Sequence, residues 1–174
     1  MTALVVYESM FGSTKLLAEA IADALAETLE VRLVEVGALA AEPRGAVVPD
    51  EVSLLVVGAP THAFGMSRAG TRADATKELG PVISATIGVR EWLENLTVPP
   101  RIPFAAFDTK VSRPALPGSA AKAIDRQLRH LGALPLTASR TFRVHGKADG
   151  LVEGARVDAR TWGGELAALL ARGH

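Results

Sequence analysis

No cysteine occurs in the 174 residues, which excludes disulfides, thiolate metal sites and thiol nucleophiles. Aromatic residues are scarce, at 5% beside an apolar share of 48%, so the core has to be built mainly from aliphatic side chains and alanine. Neither sign of charge is in excess. Nineteen basic and nineteen acidic side chains give a formal net charge of zero. The broad electrostatic footprint of a nucleic-acid or anionic-lipid binder is therefore missing. No apolar run approaches the ~20 residues that a membrane span needs. Nor does a basic region precede an apolar stretch at the N-terminus. Neither a span nor a signal peptide is expected, and the expected location is cytoplasmic. The length suits a single domain over 1–174 with a sizeable core.

What is present is a turn, Ser9-Met10-Phe11-Gly12-Ser13-Thr14, between an apolar run, Ala3-Leu4-Val5-Val6-Tyr7, and a helical pattern. The first-turn N–H groups of a helix lack intrahelical acceptors, and the macrodipole places partial positive charge there. Ser9, Ser13 and Thr14 add hydroxyl groups, and Gly12 allows close backbone approach. The six residues include no Lys or Arg. Such a turn suits one phosphate monoester held by neutral donors, or it is simply a capped helix start. Its place after the first strand of an α/β chain favours a ligand, because ligands gather beyond the carboxyl ends of such strands.

The alternation continues along the chain. Leu17, Ile21, Ala24 and Leu25 mark one helical face over 14–29, and Val31–Val36 reads as a second strand. A loop through Pro43, Gly45 and Pro49 leads to Leu54-Leu55-Val56-Val57, a short aliphatic run suited to a strand covered on both faces. A short helix is expected over 90–96 with Trp92, Leu93 and Leu96 inward, and a fourth strand over 104–107. Ala121, Ile124, Leu128 and Leu131 give a helix over 119–131, and a fifth strand falls within 136–144. Trp162, Leu166, Leu169 and Leu170 mark the last helix, over 153–172. Five strands separated by helices read as βαβ units in a parallel, doubly wound sheet. The stretch 61–89, rich in Thr, Ala, Gly and Arg, reads as one long loop, either functional or disordered.

Three segments resemble the flavodoxin family. Tyr7-Glu8-Ser9-Met10-Phe11-Gly12-Ser13-Thr14 is similar to its phosphate loop. Gly58-Ala59-Pro60-Thr61-His62-Ala63-Phe64-Gly65 is similar to its Gly-x-Pro-Thr segment beside the flavin ring. Phe107-Asp108-Thr109-Lys110 occupies the position of its second ring-contacting loop. The resemblance implies an α/β, flavodoxin-like, five-stranded parallel sheet of order 2-1-3-4-5 with helices on both faces and FMN across the strand ends. It implies that Ser9 to Thr14 hold the phosphate, while Pro60, Thr61, His62, Ala63, Phe64, Gly65, Asp108, Thr109 and Lys110 frame the ring. It also implies that the Phe64–Gly65 peptide can turn toward the reduced flavin. The second ring loop offers no aromatic residue, whereas His62 and Phe64 stand in the first.

Other chemistries lack their residues. His130, His145 and His174 have no companions at metal or triad spacing, and no Gly-x-Ser-x-Gly elbow occurs. Gly58-Ala59-Pro60 ends the third strand where a phosphate-accepting Asp of a receiver would stand. Only one glycine lies in the first turn, against the three of a dinucleotide fold, and no Gly-Lys-Ser/Thr loop is found. Glu35 reads as an exposed strand-end charge, and Arg68 and Arg72 as solvated loop arginines or contacts to an anionic substrate or partner. The expected function is FMN-dependent redox chemistry, with a redox partner protein or a small-molecule substrate. The alternative is a flavin-free scaffold that acts as an interaction or regulatory module.

Overall fold

A computed structural model describes residues 1–62, 64–112 and 117–173. Three largely buried strands with apolar runs form the centre of the sheet: β1 (Thr2–Tyr7), β3 (Val52–Pro60) and β4 (Pro103–Val111). The strand β2 (Glu30–Glu35) pairs parallel with β1 at one edge and is exposed or half-buried along its length. At the other edge β4 pairs with two short strands, β5 (Leu134–Pro135) and β6 (Arg140–Val144). The order is β2-β1-β3-β4-β5, with β6 also on β4, as expected for the doubly wound sheet.

The fifth strand expected within 136–144 is β6 alone, and the short β5 precedes that range. Pro135 cannot donate to a ladder, and four residues, 136–139, oppose two, 105–106, before pairing resumes at Arg140. Two boundaries also differ: β3 and β4 run on to Pro60 and Val111, so Asp108, Thr109 and Lys110 lie within a strand rather than in a loop. Val36 leaves β2 to start a short helix, α2 (Val36–Ala40).

Because successive strand residues face opposite ways, each central strand supplies two cores. Ala3, Val5, Leu54, Val56, Ala105 and Phe107 face α1 (Ser13–Leu25) and α6 (Ala155–Arg172), where Leu17, Ile21, Trp162 and Leu166 close the layer. Phe107, Phe142 and Trp162 meet edge to face with centroids 6.1 Å apart, a geometry their ring quadrupoles favour. Gly163 lets α6 approach α1: a methyl there would lie 2.7 Å from the Ile21 carbonyl oxygen. On the opposite face Leu4, Val6, Leu55, Val57, Phe104 and Ala106 pack against α4 (Val89–Glu94) and α5 (Ala120–His130). Trp92 anchors that layer by donating its indole N–H to the Gly45 carbonyl at 2.8 Å.

The stretch 61–89 is not one loop. It contains α3 (Ala69–Leu79), whose buried side chains are only Arg72 and Ala75. A helix that buries an arginine and an alanine leaves no aliphatic stripe for periodicity to reveal. Arg72, expected as a solvated or ligand-facing residue, is 3% exposed and paired with Glu91 at 2.9 Å. Arg68 stays exposed at the start of the helix. No described helix is long and apolar enough to cross a membrane.

Candidate functional site

The first turn of α1 closes on Gly12, whose φ of 105° lies in the left-handed region that favours glycine. Ser9 organises the turn from below. Its Oγ accepts from the Gly12 N–H at 3.2 Å and from the Lys15 N–H at 3.3 Å. A serine hydroxyl has two lone pairs and one hydrogen, so these bonds leave the hydrogen to be donated elsewhere. No described residue accepts from the N–H groups of Phe11, Ser13 or Thr14. Buried Thr14 and Thr109 join hydroxyl to hydroxyl at 2.9 Å, linking the turn to the end of β4.

These groups border a cavity of about 300 Å³ at the carboxyl ends of β1, β3 and β4. Ser9, Met10, Phe11, Ser13 and Thr14 line one end. Pro60, Thr61, His62 and Thr109 line the middle. Sequence reasoning missed the remaining walls. Thr71, Asp74, Ala75 and Glu78 come from α3, while Val111, Val144 and Lys147 face them from the opposite edge. Lys147 donates to Glu78 at 2.6 Å, an exposed ion pair between two wall residues from opposite sides. The signals were present in part, since 61–89 stood out by length, but nothing local marks 144–147 as near the turn.

Several proposed site residues stand beside the cavity rather than in it. Gly12 shapes the turn without lining the space. Asp108 is fully buried, and its Oδ2 accepts from Thr61 Oγ1 at 2.9 Å, Ser119 Oγ at 2.6 Å and the Ala121 N–H at 3.1 Å. It therefore orients Thr61 and caps α5. Lys110 donates to the Gly118 carbonyl at 2.7 Å, away from the cavity lining. Phe64 is exposed, with φ at 76°, and does not line the cavity. Gly65 pairs with His62 in both directions, its N–H on the His62 carbonyl at 2.9 Å and its carbonyl on the His62 N–H at 2.7 Å. Turning the Phe64–Gly65 peptide would break the first of these bonds. Ala63 lies outside the described residues, as does His174. His130 and His145 are exposed, and no cluster able to hold a metal occurs among the described residues.

Buried charge lies just below the turn. Glu8, fully buried, accepts from the Ser67 hydroxyl and from the Val89 N–H at 2.8 Å. Burial pushes its carboxyl up, against the pull of Ser67, Val89 and the Arg72 charge. Glu91 goes the other way. Burial raises it, but bonds from Arg72 and backbone N–H groups, with the Arg72 charge, carry it below the ordinary range. Arg72 donates to Ser67 at 2.8 Å and to both oxygens of Glu91. Gly88 fits among them because a Cβ there would lie 2.5 Å from the Arg72 guanidinium. His62 titrates below its ordinary value because of burial, with Lys147 and Arg72 adding repulsion, which favours the neutral imidazole.

Neither the protein-family models nor the curated proteins compared with this chain match it. Solved structures do. Oxidised flavodoxin 1 from Bacillus cereus superposes with a TM-score of 0.69 at 15% identity, covering 97% of this chain and 98% of that one. A flavodoxin from the domain Archaea gives 0.64 at 18% identity over 98% and 99% of the two chains. A flavodoxin, WrbA-like protein from Agrobacterium tumefaciens gives 0.62 at 18% identity over 98% of each. With the sheet order and the helices on both faces, these likenesses show that the chain has the flavodoxin-like fold.

Proposed function

We propose that the cavity binds FMN non-covalently and that the protein serves flavin redox chemistry, by electron transfer or on a small substrate. One observation carries this reading. The hydroxyl hydrogen of Ser9 and the N–H groups of Phe11, Ser13 and Thr14 have no acceptor among the described residues, and they belong to a turn without Lys or Arg that lines a cavity in a flavodoxin-like fold. That donor set fits a phosphate monoester. The rest of the cavity fits a flat apolar ring less closely. Its walls are Pro60, Ala75, Val111 and Val144, with His62 rather than an aromatic sandwich.

FMN, when bound, supplies one- and two-electron transfer. The chain's own residues bind and orient. Ser9, Ser13 and Thr14 would hold the phosphate, and Thr61, fixed by Asp108, would present its hydroxyl to the ring region. Val111 and Val144 exclude water from one side of the cavity, and α3 covers the other. The neutral net charge gives little long-range steering toward a charged protein partner, which favours a small substrate.

The aliphatic walls and the outward Phe64 favour one other reading, a flavin-free scaffold for protein interaction. Titration of flavin-free protein with FMN, followed by flavin fluorescence, separates the two. Quenching by FMN with riboflavin at least tenfold weaker supports the first. A folded protein that quenches neither supports the second.

A further inference from the structure

The turn does not hold its shape alone. Segment 81–88, between α3 and α4, crosses it and pairs with its backbone. The Ile83 N–H donates to the Met10 carbonyl and the Ser84 N–H to the Ser9 carbonyl, both at 2.9 Å. In return the Ser9 N–H donates to Ser84 Oγ at 3.0 Å. Ser84 is 1% exposed, and its own hydrogen goes to Glu35 Oε1 at 2.6 Å. The other Glu35 oxygen accepts from the Ala38 N–H at 2.9 Å, so the carboxylate is fixed by the start of α2.

We propose that Ser84, oriented by Glu35, is a positioning residue for the anion site, acting through Ser9. The proposal rests on the phosphate reading above. Ser84 takes up both backbone polar groups of Ser9, while Gly12 and Lys15 take up both lone pairs of its hydroxyl. Of the polar groups of Ser9, the hydroxyl hydrogen alone then has no acceptor among the described residues, and Ser9, itself fully buried, borders the cavity. Glu35 removes the choice of direction from Ser84. By accepting its hydrogen it leaves an oxygen lone pair for the Ser9 N–H. The strand-end carboxylate and the crossing segment thus act on the ligand without touching it.

The test compares FMN with riboflavin, which lacks the phosphate, on the wild type and on Ser84→Ala, Ser84→Thr and Glu35→Gln. Ser84→Ala should weaken FMN about fivefold, the equivalent of one neutral hydrogen bond, and leave riboflavin within about twofold. Ser84→Thr keeps the hydroxyl and should restore most of the FMN affinity. Glu35→Gln should weaken FMN in the same selective way. Equal loss of both flavins in Ser84→Ala would make the residue merely structural and overturn the proposal. So would an unchanged FMN affinity. Should Ser84→Ala not fold, Glu35→Gln decides, and wild-type FMN affinity in it overturns the proposal. Failure of the phosphate reading itself is visible separately, as a wild type that does not prefer FMN.

Discussion

Thr14 Oγ1 and Thr109 Oγ1 lie 2.9 Å apart, joining the first turn of α1 to the end of β4 across 95 residues of chain. Both hydroxyls are buried and both line the cavity, so one hydrogen serves their mutual bond and the other remains for a ligand. Thr14→Val should weaken FMN about fivefold while leaving riboflavin little changed. Thr109→Val should cost less. In the double variant the losses should not add, because each residue acts through the other. Fluorescence titration of the four proteins checks this, and strict additivity would mean that the two hydroxyls act independently.

Arg72 is the centre of the buried network, and its removal leaves Glu8 and Glu91 without their cation. Breaking such a pair by deleting one partner is costly. Arg72→Met should destabilise the fold by about 3 kcal/mol, read from urea unfolding. Arg72→Lys should recover only part of this, since one ammonium cannot reproduce the fork on both Glu91 oxygens.

The two carboxylates of the network predict opposite responses to pH. Glu8 titrates above its ordinary value in the fold, so its contribution is fully present below the ordinary carboxylate range and is lost as pH rises through the raised value. Glu91 titrates below it, so its contribution is present above that range and is lost as pH falls through the lowered value. Unfolding followed from pH 8 down to pH 2 should therefore show Glu8→Gln lacking a gain in stability that the wild type makes on acidification. Glu91→Gln should lack a loss. Parallel curves for both variants and the wild type would contradict the assignment.

Glu78 and Lys147 form their pair in the open, each more than half exposed. Exposed pairs contribute little, so Glu78→Gln and Lys147→Gln should each change stability by less than about 0.5 kcal/mol. They also tie α3 to the edge of the sheet across the cavity. Either variant should then release FMN faster, and raising salt should speed release from the wild type but not from the variants. Stopped-flow displacement of bound FMN provides the measurement.

The parts that were legible in the sequence are those written locally. The Ser9–Thr14 turn, the apolar runs of β1, β3 and β4 and the stripes of α1, α5 and α6 each announce themselves within a dozen residues. The contribution of α3 was hidden, because its inner face is Arg72 and Ala75 and its burial depends on Glu91, Ser67 and Glu8. Ser84 and Glu35 gave no sign of meeting. They are 49 residues apart, and each looks like an ordinary loop or strand-end residue. Asp108 read as a ring-framing residue because the three partners that hold it, Thr61, Ser119 and Ala121, arrive from two other segments. Val144 and Lys147 reach the cavity only because β6 resumes pairing after the irregularity at 136–139.

The seam at Gly163 has a consequence for the order of assembly. The helix α1, which starts at the Ser9–Thr14 turn, is made well before α6, yet its inner face is covered by α6. During translation, α1 must wait with Leu17 and Ile21 uncovered until Trp162 and Leu166 leave the ribosome. A contact of such sequence separation forms late and slowly. Any small molecule that relies on the first turn of α1 is therefore captured only after α6 has docked, and not before.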